Sequence, residues 1–155
     1  GRYTFTLPLQ VGAVMAGADP DVLPPLAALG EVLGLIFQIK DDELGLFGDE
    51  QDIGKPVGSD IQEGKKTIFY VYLREALGET RSTEVGELFG SAAPKDAVVR
   101  VRELVESLGV RERVTRKIEE LAGMARKQIS SLPGAGEDGR ALLTALLDYN
   151  LRRAR

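Results

Sequence analysis

Between Leu26 and Ile39 the chain offers almost no polar side chain. Eight of the ten residues from Gly30 to Ile39 are apolar or glycine. A helix that is hydrophobic on nearly every side belongs at the centre of a fold, because any face left in water is costly. Asp19-Pro20-Asp21 marks a break before it, with Asp21 as a suitable N-cap and Pro24 and Pro25 in the first turns. The pattern predicts one long central helix over 22–47, and the rest of the chain must be arranged around it.

The other segments also carry helical periodicity, and none alternates as a strand would. A closely packed helix is expected over 4–18, where Leu7, Leu9, Val11, Val14 and Met15 are interleaved with small residues and Pro8 falls near the first turn. Residues 48–64 hold four glycines and a proline and read as a long loop. Helices are expected over 65–77, 94–108, 110–131 and 137–152, with Gly109 separating the middle pair and Leu132-Pro133-Gly134 ending the longer one. The fold class is all-α.

Composition narrows the chemistry. The chain has 155 residues, no Cys and no His, and a formal net charge of −4. Disulfides, thiolate or imidazole metal ligands and a histidine base are therefore excluded within it. Any metal must be held by oxygen, which suits hard cations such as Mg²⁺. The negative charge argues against a nucleic-acid partner. The N-terminus lacks a signal-peptide pattern and no uninterrupted apolar run of about 18 residues exists, so a cytoplasmic protein with no membrane span is expected. Gly1 in place of an initiator Met suggests processing or proteolysis.

The central helix ends on a polar stripe. Gln38, Asp41, Asp42 and Gly45 stand at i, i+3, i+4 and i+7, on one helix face. Two adjacent carboxylates at the end of a core helix need cations or donors beside them. The stripe should line a polar cavity, where a Mg²⁺ can keep several waters and take phosphate oxygens from a substrate. The competing reading is an acidic helix end that faces water. The following loop is selectively basic: Gly54-Lys55 comes first, then Ser59-Asp60-Ile61-Gln62-Glu63-Gly64-Lys65-Lys66-Thr67. Lysine ammonium groups bind phosphate as point charges, and the glycines let backbone come close to a ligand. Asp60 is a counter-ion for a lysine, or an orienting group behind the ligands.

Taken together, these residues resemble the trans-isoprenyl diphosphate synthases, the farnesyl and geranylgeranyl diphosphate synthase family. The family's second aspartate-rich motif, Phe-Gln-x-x-Asp-Asp-x-x-Asp, is matched by Phe37-Gln38-Ile39-Lys40-Asp41-Asp42-Glu43-Leu44-Gly45. Gly54-Lys55 follows at the family spacing, and Gly58-Ser59-Asp60-Ile61-Gln62-Glu63-Gly64-Lys65 is similar to its Gly-x-Asp-Ile-x-x-x-Lys element. Gly1 to Ala18 resembles the helix after the family's Lys-Thr pair. The likeness is strongest over 37–67 and weakens after about Leu77.

The resemblance implies the C-terminal half of a helical bundle of the isoprenoid synthase type, with residues 1–155 forming part of a single synthase domain. It implies Mg²⁺-assisted ionisation of an allylic diphosphate, attack on the carbocation by isopentenyl diphosphate, and proton removal by the departing diphosphate. It gives Asp41 one Mg²⁺, with Asp42 beside it. Lys55 grips the allylic diphosphate, Gln38 faces the reacting chains, Phe37 packs against isopentenyl diphosphate, and Lys65 and Asp60 support the diphosphate side. Arg152, Arg153 and Arg155 are candidates to close over substrate, against the alternative of a solvated end.

Gly45 stands where the motif has its last Asp, which leaves Asp41 as the main protein ligand. The family's first aspartate-rich motif, arginine pair and Lys-Thr pair belong upstream of Gly1. The expectation is therefore an enzyme half, active with an N-terminal half or partner subunit in a homo- or hetero-oligomer. The alternatives are a non-catalytic regulatory subunit of a partner synthase, or an unrelated helical interaction module. Without its partner helices the stretch around Leu33–Ile39 is expected to expose a large apolar patch.

Overall fold

The computed structural model describes residues 2–48 and 56–153. They are helical, with no strand among the described residues. A π-helical turn, Arg2–Thr6, runs into α1, Leu7–Met15, so the helix expected over 4–18 is two differently wound pieces. Asp19, not Asp21, is the capping residue: its carboxylate accepts the backbone N–H of Asp21 at 2.9 Å. The physical reason is Pro20, which has no N–H to satisfy and a φ suited to a first helical position, so it opens a 3-10 turn, Pro20–Val22. Helix α2 then runs Leu23–Phe47.

The stretch expected to be a loop contains a short helix, α3, Ser59–Gln62. Helix α4, Ile68–Glu87, extends ten residues past its expected end, but its backbone breaks at Gly78, where φ is 70° and ψ is 177°. Helices α5, Ala97–Ser107, α6, Val110–Ser130, and α7, Glu137–Arg152, follow the periodicity closely.

The described residues group into two compact units, one of Gly1–Lys40 with Lys117–Arg153, the other of Asp41–Arg116. In the first, Val22, Leu26 and Leu132 form a buried cluster packed by Leu9, Ala13, Leu23, Ala135 and Leu143. Leu29, Leu33 and Ile36 of α2 are fully buried, each stabilising by about 2 kcal/mol. Gly30 explains itself here: a Cβ at that position would stand 2.5 Å from the Thr6 Cα, so the π-helical turn lies directly against a bare patch of α2. The large apolar surface expected around Leu33–Ile39 is not found, since only Leu35 of its large side chains is well exposed. The uncovered apolar surface belongs to α1 instead. That helix has no charged residue and no buried one, and Leu7, Val11, Val14 and Met15 are exposed.

In the second unit Phe69, Leu73, Val85, Val101, Val105 and Val114 are buried. The last carbonyls of α2 find partners there. Gly58 N–H donates to Gly45 O at 2.9 Å and Arg102 Nε donates to Leu46 O at 2.7 Å. These satisfy acceptors that a helix end leaves open. Gly58 has φ +80°, and a Cβ there would collide with the Val98 side chain of α5, so glycine suits this turn on both counts.

By length and composition Pro20–Phe47 is apolar enough to cross a membrane, a test that the core helix of a globular protein also passes. Half of its most apolar window is buried inside the protein, as in a core helix.

Candidate functional site

Gln38, Asp41, Asp42 and Gly45 all lie within α2, so their spacing places them on one helix face. Gln38 is exposed, the two aspartates are half-buried and Gly45 is buried. An acidic end that simply faces water does not describe them.

Asp42 has a specific partner. Its Oδ2 accepts the backbone N–H of Ile68, the first residue of α4, at 3.1 Å. Thr67, the N-cap, accepts the N–H of Tyr70 at 3.4 Å through Oγ1. The two side chains satisfy amides that the start of α4 leaves without intrahelical partners. The positive end of the helix dipole also favours the ionised Asp42 carboxylate.

Asp60 is buried and pairs with Lys65, whose Nζ lies 2.7 Å from Asp60 Oδ1. The counter-ion reading of Asp60 is thus realised within the turn. Glu63, which the motif spacing does not single out, adds a second contact at 2.8 Å. Gly64, with φ +68°, reverses the chain, and Lys65 N–H also donates to Asp60 O at 2.9 Å. The available signal for Glu63 was its place two residues before Lys65 across that glycine. The hydrogen bonds that Lys65 donates to Asp60, and then to Glu63, hold its pKa above the ordinary lysine value. About half of the Lys65 side chain remains exposed.

Asp42, Gly45, Gly58, Asp60 and Thr67 line one crevice of about 10 Å³. That is room for about one water molecule. The two motif elements therefore meet in the second unit, in a crevice too small for a diphosphate.

Phe37 lies in the first unit. Its ring meets Phe5 in an edge-on contact with centroids 5.6 Å apart, and the Arg153 guanidinium stands 4.0 Å from its centroid. Arg152 is exposed and donates to Asp148 O at 3.3 Å. The predicted residues Gly54, Lys55 and Arg155 lie outside the described residues.

Among the described residues no three acidic side chains converge on one point, so they form no metal cage closed by protein alone. Two adjacent carboxylates fit the other mode of Mg²⁺ binding, in which water and substrate phosphate supply most of the oxygens.

A sequence model described as Polyprenyl synthetase matches residues 1–108, spanning this crevice and the helices before it. The chain belongs to the polyprenyl synthetase family. Within that family it is 32% identical to the geranylfarnesyl diphosphate synthase of Aeropyrum pernix over 146 residues, covering 94% of this chain and 45% of that protein. It is 41% identical to the short chain isoprenyl diphosphate synthase of Methanocaldococcus jannaschii over 98 residues, covering 63% of this chain and 29% of that one. The geranylgeranyl pyrophosphate synthase of Corynebacterium glutamicum, complexed with isoprenyl diphosphate and magnesium, matches with a TM-score of 0.85 at 29% identity, over 97% of this chain and 43% of that one. The all-α isoprenoid synthase fold is therefore shown, and likeness to the polyprenyl synthetases continues well past Leu77. The chain spans about half the length, or less, of the relatives it matches.

Proposed function

We propose that residues 1–155 are the C-terminal part of a single synthase domain and supply the second aspartate-rich wall of a cytoplasmic trans-prenyltransferase. That enzyme condenses an allylic diphosphate with isopentenyl diphosphate, and the N-terminal half or a partner subunit supplies the opposite wall. The observation that carries the reading is the convergence of Asp42 and Asp60, from two separate motif elements, on one crevice in a chain of this family.

In this reading Asp41 is the main protein ligand of a Mg²⁺ and Asp42 stands beside it, already anchored to Ile68. The bound metal supplies charge neutralisation at the leaving diphosphate. Lys55 and Lys65 add cationic contacts to the same group. Lys65 engages two carboxylates, and an ammonium has three N–H donors, so one remains to face phosphate. Asp60 fixes that ammonium in place. Gln38 lies along the reacting chains and Phe37 against isopentenyl diphosphate. No residue here need act as the proton acceptor, because the released diphosphate is a base.

The test is Asp41→Asn and Lys55→Ala, singly and together, in the enzyme containing both halves. Loss of an electrostatic contact to the developing charge is expected to lower turnover by about 10²–10³-fold for each, with the complex still assembled. Unchanged turnover with an intact complex overturns the catalytic reading and leaves a regulatory subunit.

A further inference from the structure

Phe37 is held from two sides within the first unit. Phe5, in the π-helical turn, touches it edge-on, and the Arg153 guanidinium lies over the ring. Arg153 directly follows α7, and α7 is firmly seated. Leu147 and Asn150 are buried, and Asp148 pairs with Arg126 at 3.2 Å. The guanidinium is thus delivered to the ring by a docked helix rather than by a loose tail. Its partial burial also lowers the pKa of the group, consistent with a charge taken out of bulk water to stack on an aromatic face.

We propose that Arg153 is a positioning residue for Phe37, setting the place and tilt of the ring through a stacked cation–π contact. The inference rests on the function proposed above, in which Phe37 packs against isopentenyl diphosphate. It differs from a basic residue closing over the diphosphate, because Arg153 acts through the ring. A planar guanidinium stacks on an aromatic face in a way that an ammonium does not. Lysine should therefore restore charge at position 153 without restoring the ring's placement.

The experiment uses the enzyme containing both halves and measures steady-state kinetics for Arg153→Met, Arg153→Lys, Phe37→Leu and the double variant Arg153→Met/Phe37→Leu. The expected result for Arg153→Met is a KM for isopentenyl diphosphate raised about 5–10-fold, with kcat and the KM for the allylic diphosphate within two-fold. Such a rise corresponds to a lost contact of the cation–π class. Arg153→Lys should recover less than half of the loss. The double variant should be no worse than Phe37→Leu alone.

Additive losses in the double variant, full rescue by lysine, or a KM unchanged in Arg153→Met each overturn the proposal. A fall in kcat and both affinities together, with a lowered melting temperature, also overturns it, since that is the mark of a general structural role. A thermal-unfolding cycle on the same four proteins reads the contact without turnover. Non-additive melting shifts alongside an Asp41→Asn enzyme of unchanged rate would mean that the contact is real and the proposed function is wrong.

Discussion

The Asp42 carboxylate accepts the first backbone N–H of α4, at Ile68, from a side chain 26 positions earlier in the chain. One oxygen is thereby committed to holding two motif elements in register. Asp42→Ala leaves that amide without its partner and should cost about 1–2 kcal/mol. Asp42→Asn retains a carbonyl acceptor and should stay within about 0.5 kcal/mol of the parent. Denaturant unfolding of the three proteins checks both. Equal destabilisation by Ala and Asn would show that the charge, and not the cap, carries the effect.

The Asp60–Lys65–Glu63 cluster has a pH signature. The folded Lys65 pKa is raised, so its contribution to stability is fully present below the ordinary lysine value of about 10.4 and is lost as pH rises towards the higher folded value. The melting temperature of the parent should therefore exceed that of Lys65→Met by a constant margin from pH 7 to about pH 9.5. The margin should shrink above about pH 10.5. A margin that shrinks between pH 6 and 8 would contradict the assignment.

Gly30 is predicted to be intolerant of even a methyl group. Its Cβ would meet backbone atoms of Thr6 at 2.5 and 2.8 Å, and backbone cannot swing aside as a side-chain tip can. Gly30→Ala should destabilise the protein by about 1–3 kcal/mol, although alanine is the better helix former. Calorimetry on the two proteins decides it, and a stabilised Gly30→Ala would refute the close approach.

The uncovered apolar surface of α1 predicts self-association of the isolated chain. Leu7→Lys with Val14→Lys places charge on exposed positions and should shift the sedimentation profile towards monomer without loss of helical signal. A parent chain that is already a monodisperse monomer at high concentration would remove the basis for this prediction.

Much of this architecture is legible in the order of residues. The ends of α2, α6 and α7 follow apolar periodicity and terminal glycines, which act over a few positions. Helix α3 is not legible in that way, because four residues in a glycine-rich loop make barely one turn. The stop expected at Leu77 was a true backbone break at Gly78, but helical winding resumes beyond it. Within the site, the motif spacing pointed to Asp41, Asp42, Asp60 and Lys65. It offered Asp60 a lysine partner but was silent on the long-range contacts. The contacts of Asp42 with Ile68, and of Arg153 with Phe37, join residues far apart in the chain, and no local periodicity encodes such a meeting.

The anchoring of Asp42 changes what the motif can be taken to mean when it is met elsewhere. A paralogue that had given up catalysis would still be penalised for losing this aspartate, since the first amide of α4 would lose its partner. Survival of the second aspartate of the pair therefore says little about whether such a protein turns over substrate.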